Sequence, residues 1–369
     1  MQIVGLSLLV LKLTHGSAFA LGCVSLAQAC AFFLFALVGG GFADRVNRKR
    51  LLIVTQSTLM VIAGTLGVLT TFGAITVPLI ACFAFFSGAV LSFDQPARAA
   101  LIATLVPQED LLNAISLQSA VFNGAAIAGP ALAGLTAGLI GIAANFYFNA
   151  LSFSAVVLAL LLLPAAAAVE RTRERLVDQI RAALVSVRGD AVLFQVLCVY
   201  GMLLFAGPSL QLLLPVLAVT RLRVGATALG FLFSAAGLGA VLGALLLGSL
   251  PHAKPWVVRA AVACWCIALP AAGISSTFQL TLCALLLLGA TQSIAGSTTS
   301  ALLQTRVPAQ QRGRVMSLNT ILIMGVRPLG DFPAGAAIAA MGAPAATVAG
   351  ALIVASTAAV LFRKRPRSG

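Results

Sequence analysis

Gly39-Gly40-Gly41-Phe42-Ala43-Asp44-Arg45-Val46-Asn47-Arg48-Lys49-Arg50-Leu51-Leu52 places four cations and one acid between two long apolar runs. A Lys or Arg at the centre of a bilayer costs about 2.5–3.5 kcal/mol, so this stretch reads as a short turn at a membrane surface. Its glycines allow two helices to approach closely. Asn47 is one of the few non-glycine residues that tolerate a left-handed conformation, which the spacing predicts for the turn.

The rest of the chain fits that reading. Its 369 residues are 60% hydrophobic and only 9% charged, with a mean hydropathy of +1.07, whereas soluble domains carry charge on about a quarter of their residues. The net charge of +14 does not imply nucleic acid. Clusters at Arg45–Arg50, Arg98, Arg171–Arg188, Lys254 with Arg259, Arg306–Arg314 and Arg363–Arg367 hold 19 of the 23 Lys and Arg. Two apolar runs separate each cluster from the next, each near the roughly 20 residues needed to cross. All the clusters then fall on one side, and the positive-inside rule makes that side the cytoplasm. Lys12, Arg221 and Arg223 face outward, and Arg327 lies inside a span.

Spans are expected at 20–43, 51–72, 74–95, 111–139, 145–165, 191–218, 226–249, 256–273, 278–303, 314–340 and 343–362. The first run, Met1–Leu11, is too short to cross about 30 Å at about 1.5 Å per residue. A late-assigned start, a truncated first helix and a cleaved signal peptide are the alternatives, although no basic region precedes the run. The expected division is an N-terminal helical half at 1–165, a linker at 166–190, a C-terminal half at 191–362 and a basic tail at 363–369. In the linker Leu176, Val177, Ile180, Ala183, Leu184 and Val187 have the spacing of one helical face. It reads as either an amphipathic surface helix or a solvated charged connection.

The halves repeat. Val106–Leu117 aligns with Val307–Leu318 at an offset of 201, which also pairs Gly88 with Gly289, Gly129 with Gly330 and Gly134 with Gly335. Ala20-Leu21-Gly22 aligns with Ala228-Leu229-Gly230 at an offset of 208. Two parallel six-helix repeats form a transporter layout. The basic turn has no counterpart near Gly243–Pro251.

Gly40…Asp44-Arg45…Arg48-Lys49 resembles the loop signature of the major facilitator superfamily, G-x-x-x-D-R-x-G-R-[KR], with Asn47 in place of glycine. The resemblance implies an all-α membrane protein of the facilitator fold, with eleven full spans plus a truncated first span. It also implies a conformational latch: Asp44 against the start of the eleventh helix near Arg312–Met316, with Arg45 and Arg48 pairing nearby acids. A topology-setting basic loop is the competing reading. Asp94-Gln95-Pro96-Ala97-Arg98 resembles a string of the facilitator subgroup that contains siderophore and macrolide exporters. Pro96 is expected to end its helix at the membrane boundary, leaving Asp94 to pair with Arg45 or Arg98. Gly129-Pro130…Gly134 resembles the antiporter helix-packing motif, with Ala125 and Ala133 at positions where glycine is common. The fourth span lacks the mid-membrane arginine of many drug/proton antiporters.

Arg327 and Asp331 stand four apart within the eleventh span, a spacing that puts them on one helical face. Two roles are open for them: a proton-coupling site, to which Asp94 also belongs, or a self-neutralising pair. Gln28, Gln118, Asn123, Asn149, Gln195, Gln211, Gln292 and Asn319 are the neutral polar residues of the spans. A cavity lined this way suits an amphipathic organic solute.

No catalytic residue, metal site or cofactor is expected. The seven cysteines read as small buried apolar residues and His15 and His252 as lone loop residues. By resemblance, the expected protein is a multi-pass monomer of the bacterial inner membrane. It would export a small molecule by proton antiport, with the proton gradient and membrane lipid as its partners and no nucleic acid. An importer or uniporter of the same fold, or a truncated remnant that transports nothing, are the competing readings.

Overall fold

The computed structural model describes residues 1–43, 46–105, 107, 111–163, 185, 187–248, 254–307, 315–316, 318–319 and 322–363, with the backbone alone at 37–43, 99–100, 102–104, 111–116, 119–120, 122–123, 126–127 and 324. Asp44, Arg45, most of the linker, Arg312, Arg314 and nearly all of the basic tail therefore lie outside the described residues.

Long apolar runs become helices because, in lipid, only a helix satisfies every backbone donor and acceptor within its own segment. They are α1 (Gln2–Leu13), α2 (Ala18–Ala43), α3 (Arg48–Thr71), α4 (Val77–Leu105), α5 (Leu111–Leu139), α6 (Ile142–Leu162), α7 (Ala191–Ala206), α8 (Leu210–Leu217), α9 (Ala226–Gly248), α10 (Pro255–Ile274), α11 (Phe278–Arg306) and α12 (Arg327–Arg363). Among the described residues nine helical segments are long and apolar enough to cross a membrane. One of them joins α7, α8 and the π turn Ala218–Leu222 into a single stretch. Another, α12, is interrupted at Gly342, whose φ of 80° lies where glycine is favoured.

Two expectations are corrected. Asn47 is not left-handed: its φ and ψ are −63° and 113°, and its side chain caps α3 by accepting from the Arg50 amide at 3.2 Å. Capping an orphan amide is the better use of an Asx side chain at a helix start. Pro96 does not end α4, which continues through it to Leu105. Membrane helices tolerate an internal proline where neighbouring side chains and helices take up the freed carbonyl.

The chain forms two compact units. One comprises Met1–Arg173 with Gly225–Gly230, the other Glu174–Val224 with Phe231–Gly369. In the first, α2 packs along α4 and α3 along α6. Gly88 lets α2 and α4 cross so closely that a methyl there would overlap the Gln28 carbonyl oxygen. In the second, α10 packs on α11 and α12, and α7 on α12. There a methyl at Gly289 would overlap the Ala236 carbonyl oxygen. These crossings correspond at the two repeat offsets, Gly88 to Gly289 by 201 and Gln28 to Ala236 by 208. The same device is built into both units.

Candidate functional site

Each unit holds a buried carboxylate. In the first it is Asp94, 1% exposed on α4. Thr55 Oγ1 and Gln56 Nε2, on α3, donate to its Oδ1 at 2.8 and 2.7 Å, and Arg98 donates to Oδ2 at 2.9 Å. Charged hydrogen bonds of this length are strong, and three of them compensate for burying the charge. On the same two helices and on α6, Leu52, Ala97, Leu101 and Leu160 form a buried apolar cluster. Asp94 is thus tied to Arg98, one of its two expected partners. Gln56→Leu removes one donor and should lower stability by about 1.5–3 kcal/mol, the worth of a hydrogen bond to a charged group. A melting curve in detergent checks this; an unchanged midpoint would mean that Thr55 and Arg98 suffice.

The basic turn has a further task within this unit. Lys49 donates to the carbonyls of Leu161, at 3.2 Å, and Leu163, placing a cation on the C-terminus of α6, where the helix dipole favours one. Arg48 opens α3.

Of the helix-packing motif, Pro130 sits inside a continuous α5. Gly134 lies against the short stretch grouped with the first unit: a methyl there would approach Gly230 Cα to 2.6 Å and the Ala226 carbonyl oxygen to 2.7 Å. Gly129 is less crowded, with Met1 N at 3.8 Å from the same test position.

In the second unit the carboxylate is Asp331, 3% exposed on α12. The sequence expectation of an Arg327–Asp331 pair is corrected here, since no ion pair joins them. Asp331 instead accepts from Ser209, from the backbone amide at 2.9 Å and from Oγ at 2.8 Å. Ser209 also caps α8, its Oγ accepting from the Leu212 amide at 3.2 Å. The carboxylate therefore lies at the break between α7 and α8, facing the N-terminus of a half-helix, where a negative charge is stabilised. Arg327 turns to α11. With the Gln292 amide oriented to suit its neighbours, its oxygen accepts from Nη1 and Nη2 at 3.2 and 2.9 Å. Asp190, at the start of α7, pairs with Arg306 at 3.0 Å.

Ser209, Thr55 and Gln56 were not singled out from sequence. Gly207-Pro208-Ser209 did carry a signal, a helix breaker followed by a strong N-cap residue inside an apolar run.

The family model described as transmembrane secretion effector, of the major facilitator superfamily, matches residues 1–368. The chain belongs to this family. Among its relatives is the enterobactin exporter EntS of Citrobacter koseri, 26% identical over 346 residues, covering 92% of this chain and 81% of the relative. Its fold is shared with solved transporters. A bacterial homologue of the human lysosomal transporter Spinster, in an inward-facing and unoccupied conformation, superposes with a TM-score of 0.75 at 15% identity, over 98% of this chain and 93% of that one. A variant of the nucleoside transporter NupG gives 0.76 at 12%, over 99% and 95%. The chain is a multi-pass transporter of the bacterial inner membrane and not an enzyme.

Proposed function

We propose that the protein exports a small amphipathic organic compound in exchange for protons, with its two six-helix halves alternating access on the twelve-helix plan. The observation that carries the antiport is Asp331. Arg327 acts on this carboxylate only through space, and the hydrogen bonds that hold it come from a serine. Ser209 Oγ can donate to the ionised carboxylate and accept from the protonated acid, so the same contact serves both states. Ionisable groups buried in membrane spans mark proton relays. A relative at 26% identity named as an exporter supports the direction and an organic cargo. In this reading the basic turn, with Asp44, Arg45, Arg48, Asp94 and Arg98, forms the inner latch.

Inverted membrane vesicles test the proposal. Acidifying the lumen should drive accumulation of at least one compound from a panel of dyes, macrolides and siderophores, and collapsing the gradient should stop it. Accumulation indifferent to the gradient would remove antiport.

A further inference from the structure

We infer that Arg327, Gln292 and Tyr200 form an anion-recognition site in the second unit. The cargo would then be an amphipathic compound bearing one carboxylate, phenolate or sulfonate. This rests on the export reading and narrows its substrate class.

The site begins with a cation whose hydrogen-bonding companion is neutral. Gln292 lies at the middle of the 29-residue α11, so the guanidinium bonded to it sits deep in the span. Arginine cannot shed its proton, and a cation at such depth is costly unless it meets an opposite charge or lines a cavity. Among the described residues no carboxylate lies within ion-pair distance of Arg327. Asp331, one turn away, lies within electrostatic reach of the guanidinium but directs both oxygens to Ser209, leaving the fork itself open. A guanidinium has five N–H donors in a fixed fork. Two are directed at the Gln292 oxygen, and the other three make no hydrogen bond among the described residues.

Tyr200 supplies the second observation. It is buried on α7 and lies within the electrostatic reach of Arg327. Its hydroxyl oxygen is 2.7 Å from the point where a Cβ on Gly296 would stand. Gly296 is one turn along α11 from Gln292, on the same face, and its missing side chain is what admits the phenol to that face. No described acceptor takes the phenolic hydrogen. The guanidinium and the phenol thus offer donors and no matching acceptor, with an aromatic ring alongside to hold an apolar body.

The test uses purified protein in detergent and two probes sharing one fluorophore, dansylglycine with a carboxylate and dansylamide without. The wild type should bind dansylglycine at least tenfold more tightly than dansylamide. Arg327→Gln should reduce dansylglycine to the level of dansylamide and leave dansylamide unchanged. Arg327→Lys should recover part of the preference, and Tyr200→Phe should weaken dansylglycine alone, about threefold to tenfold. Equal binding of the two probes by the wild type, no binding of dansylglycine, or an Arg327→Gln variant that weakens both probes alike would overturn the inference. Binding needs no gradient, so the two readings fail separately. Vesicle accumulation that ignores pH, with charge discrimination intact, removes antiport alone; lost discrimination with gradient-driven export intact removes the anion site alone.

Discussion

Asp331→Asn should abolish gradient-driven accumulation in inverted vesicles, to the level of vesicles without the protein, while yield and membrane insertion stay at wild-type levels. The substitution keeps the size and shape of the side chain. The amide oxygen can still accept from the Ser209 backbone N–H, and the amide nitrogen can donate to Ser209 Oγ, which has a lone pair free beyond the one used by Leu212. What is lost is the ability to change charge, so the variant is fixed in the equivalent of its protonated state. Exchange of unlabelled for labelled cargo down its own gradient should therefore persist. If Asp331→Asn still accumulates cargo on lumen acidification, the proton is carried elsewhere. Loss of exchange together with accumulation would instead assign Asp331 a structural role.

The second large effect is expected at the glycine crossings. Gly88→Val and Gly289→Val each place a branched side chain where even a methyl overlaps a backbone carbonyl oxygen, of Gln28 and Ala236 respectively. A flexible side chain could move aside, whereas a helix backbone moves only with its whole helix. Overpacking typically costs about 1–3 kcal/mol and occasionally more, and a backbone obstacle places these two at or above the top of that range. Each variant should fail to accumulate in the membrane, or melt well below the wild type in detergent. Gly64→Val is the control, since no atom lies within 4 Å of a Cβ built there. Equal melting of Gly88→Val and Gly64→Val would mean that α2 and α4 are not held at this spacing.

Much of this architecture was legible in the residues because membrane insertion and gene duplication leave local marks. Apolar length and the spacing of cation clusters place the helices. The two repeat offsets, inferred from short matches of small residues, return in the structure as corresponding crossings at Gly88 with Gln28 and Gly289 with Ala236. The carboxylate partners were harder to read. The same four-residue spacing occurs in Asp94 with Arg98 and in Arg327 with Asp331, yet only the first forms an ion pair. Order along the helix is one reason, since an acid preceding a base complements the helix dipole and the reverse order opposes it. Competition is the other. Ser209 lies 122 residues from Asp331, and no periodicity links the two. The change of roles at Asn47, from left-handed turn to helix cap, was equally hidden, because both are ordinary uses of one short amide side chain.

The single-residue interruption at Gly342 has a mechanical consequence. On one side of it, residues 327–341 are fastened to the start of α8 by Asp331 and to α7 by Gly330, where a methyl would overlap the Phe205 carbonyl oxygen. On the other, Thr347 is fitted into the space left by Gly273 of α10, and Arg259 stands 4.7 Å over the ring of Phe362. With Pro344 two residues beyond, this link has too little slack to absorb rotation. Under the proposed antiport, a tilt begun at Asp331 is therefore passed on to residues 343–363 rather than lost at Gly342.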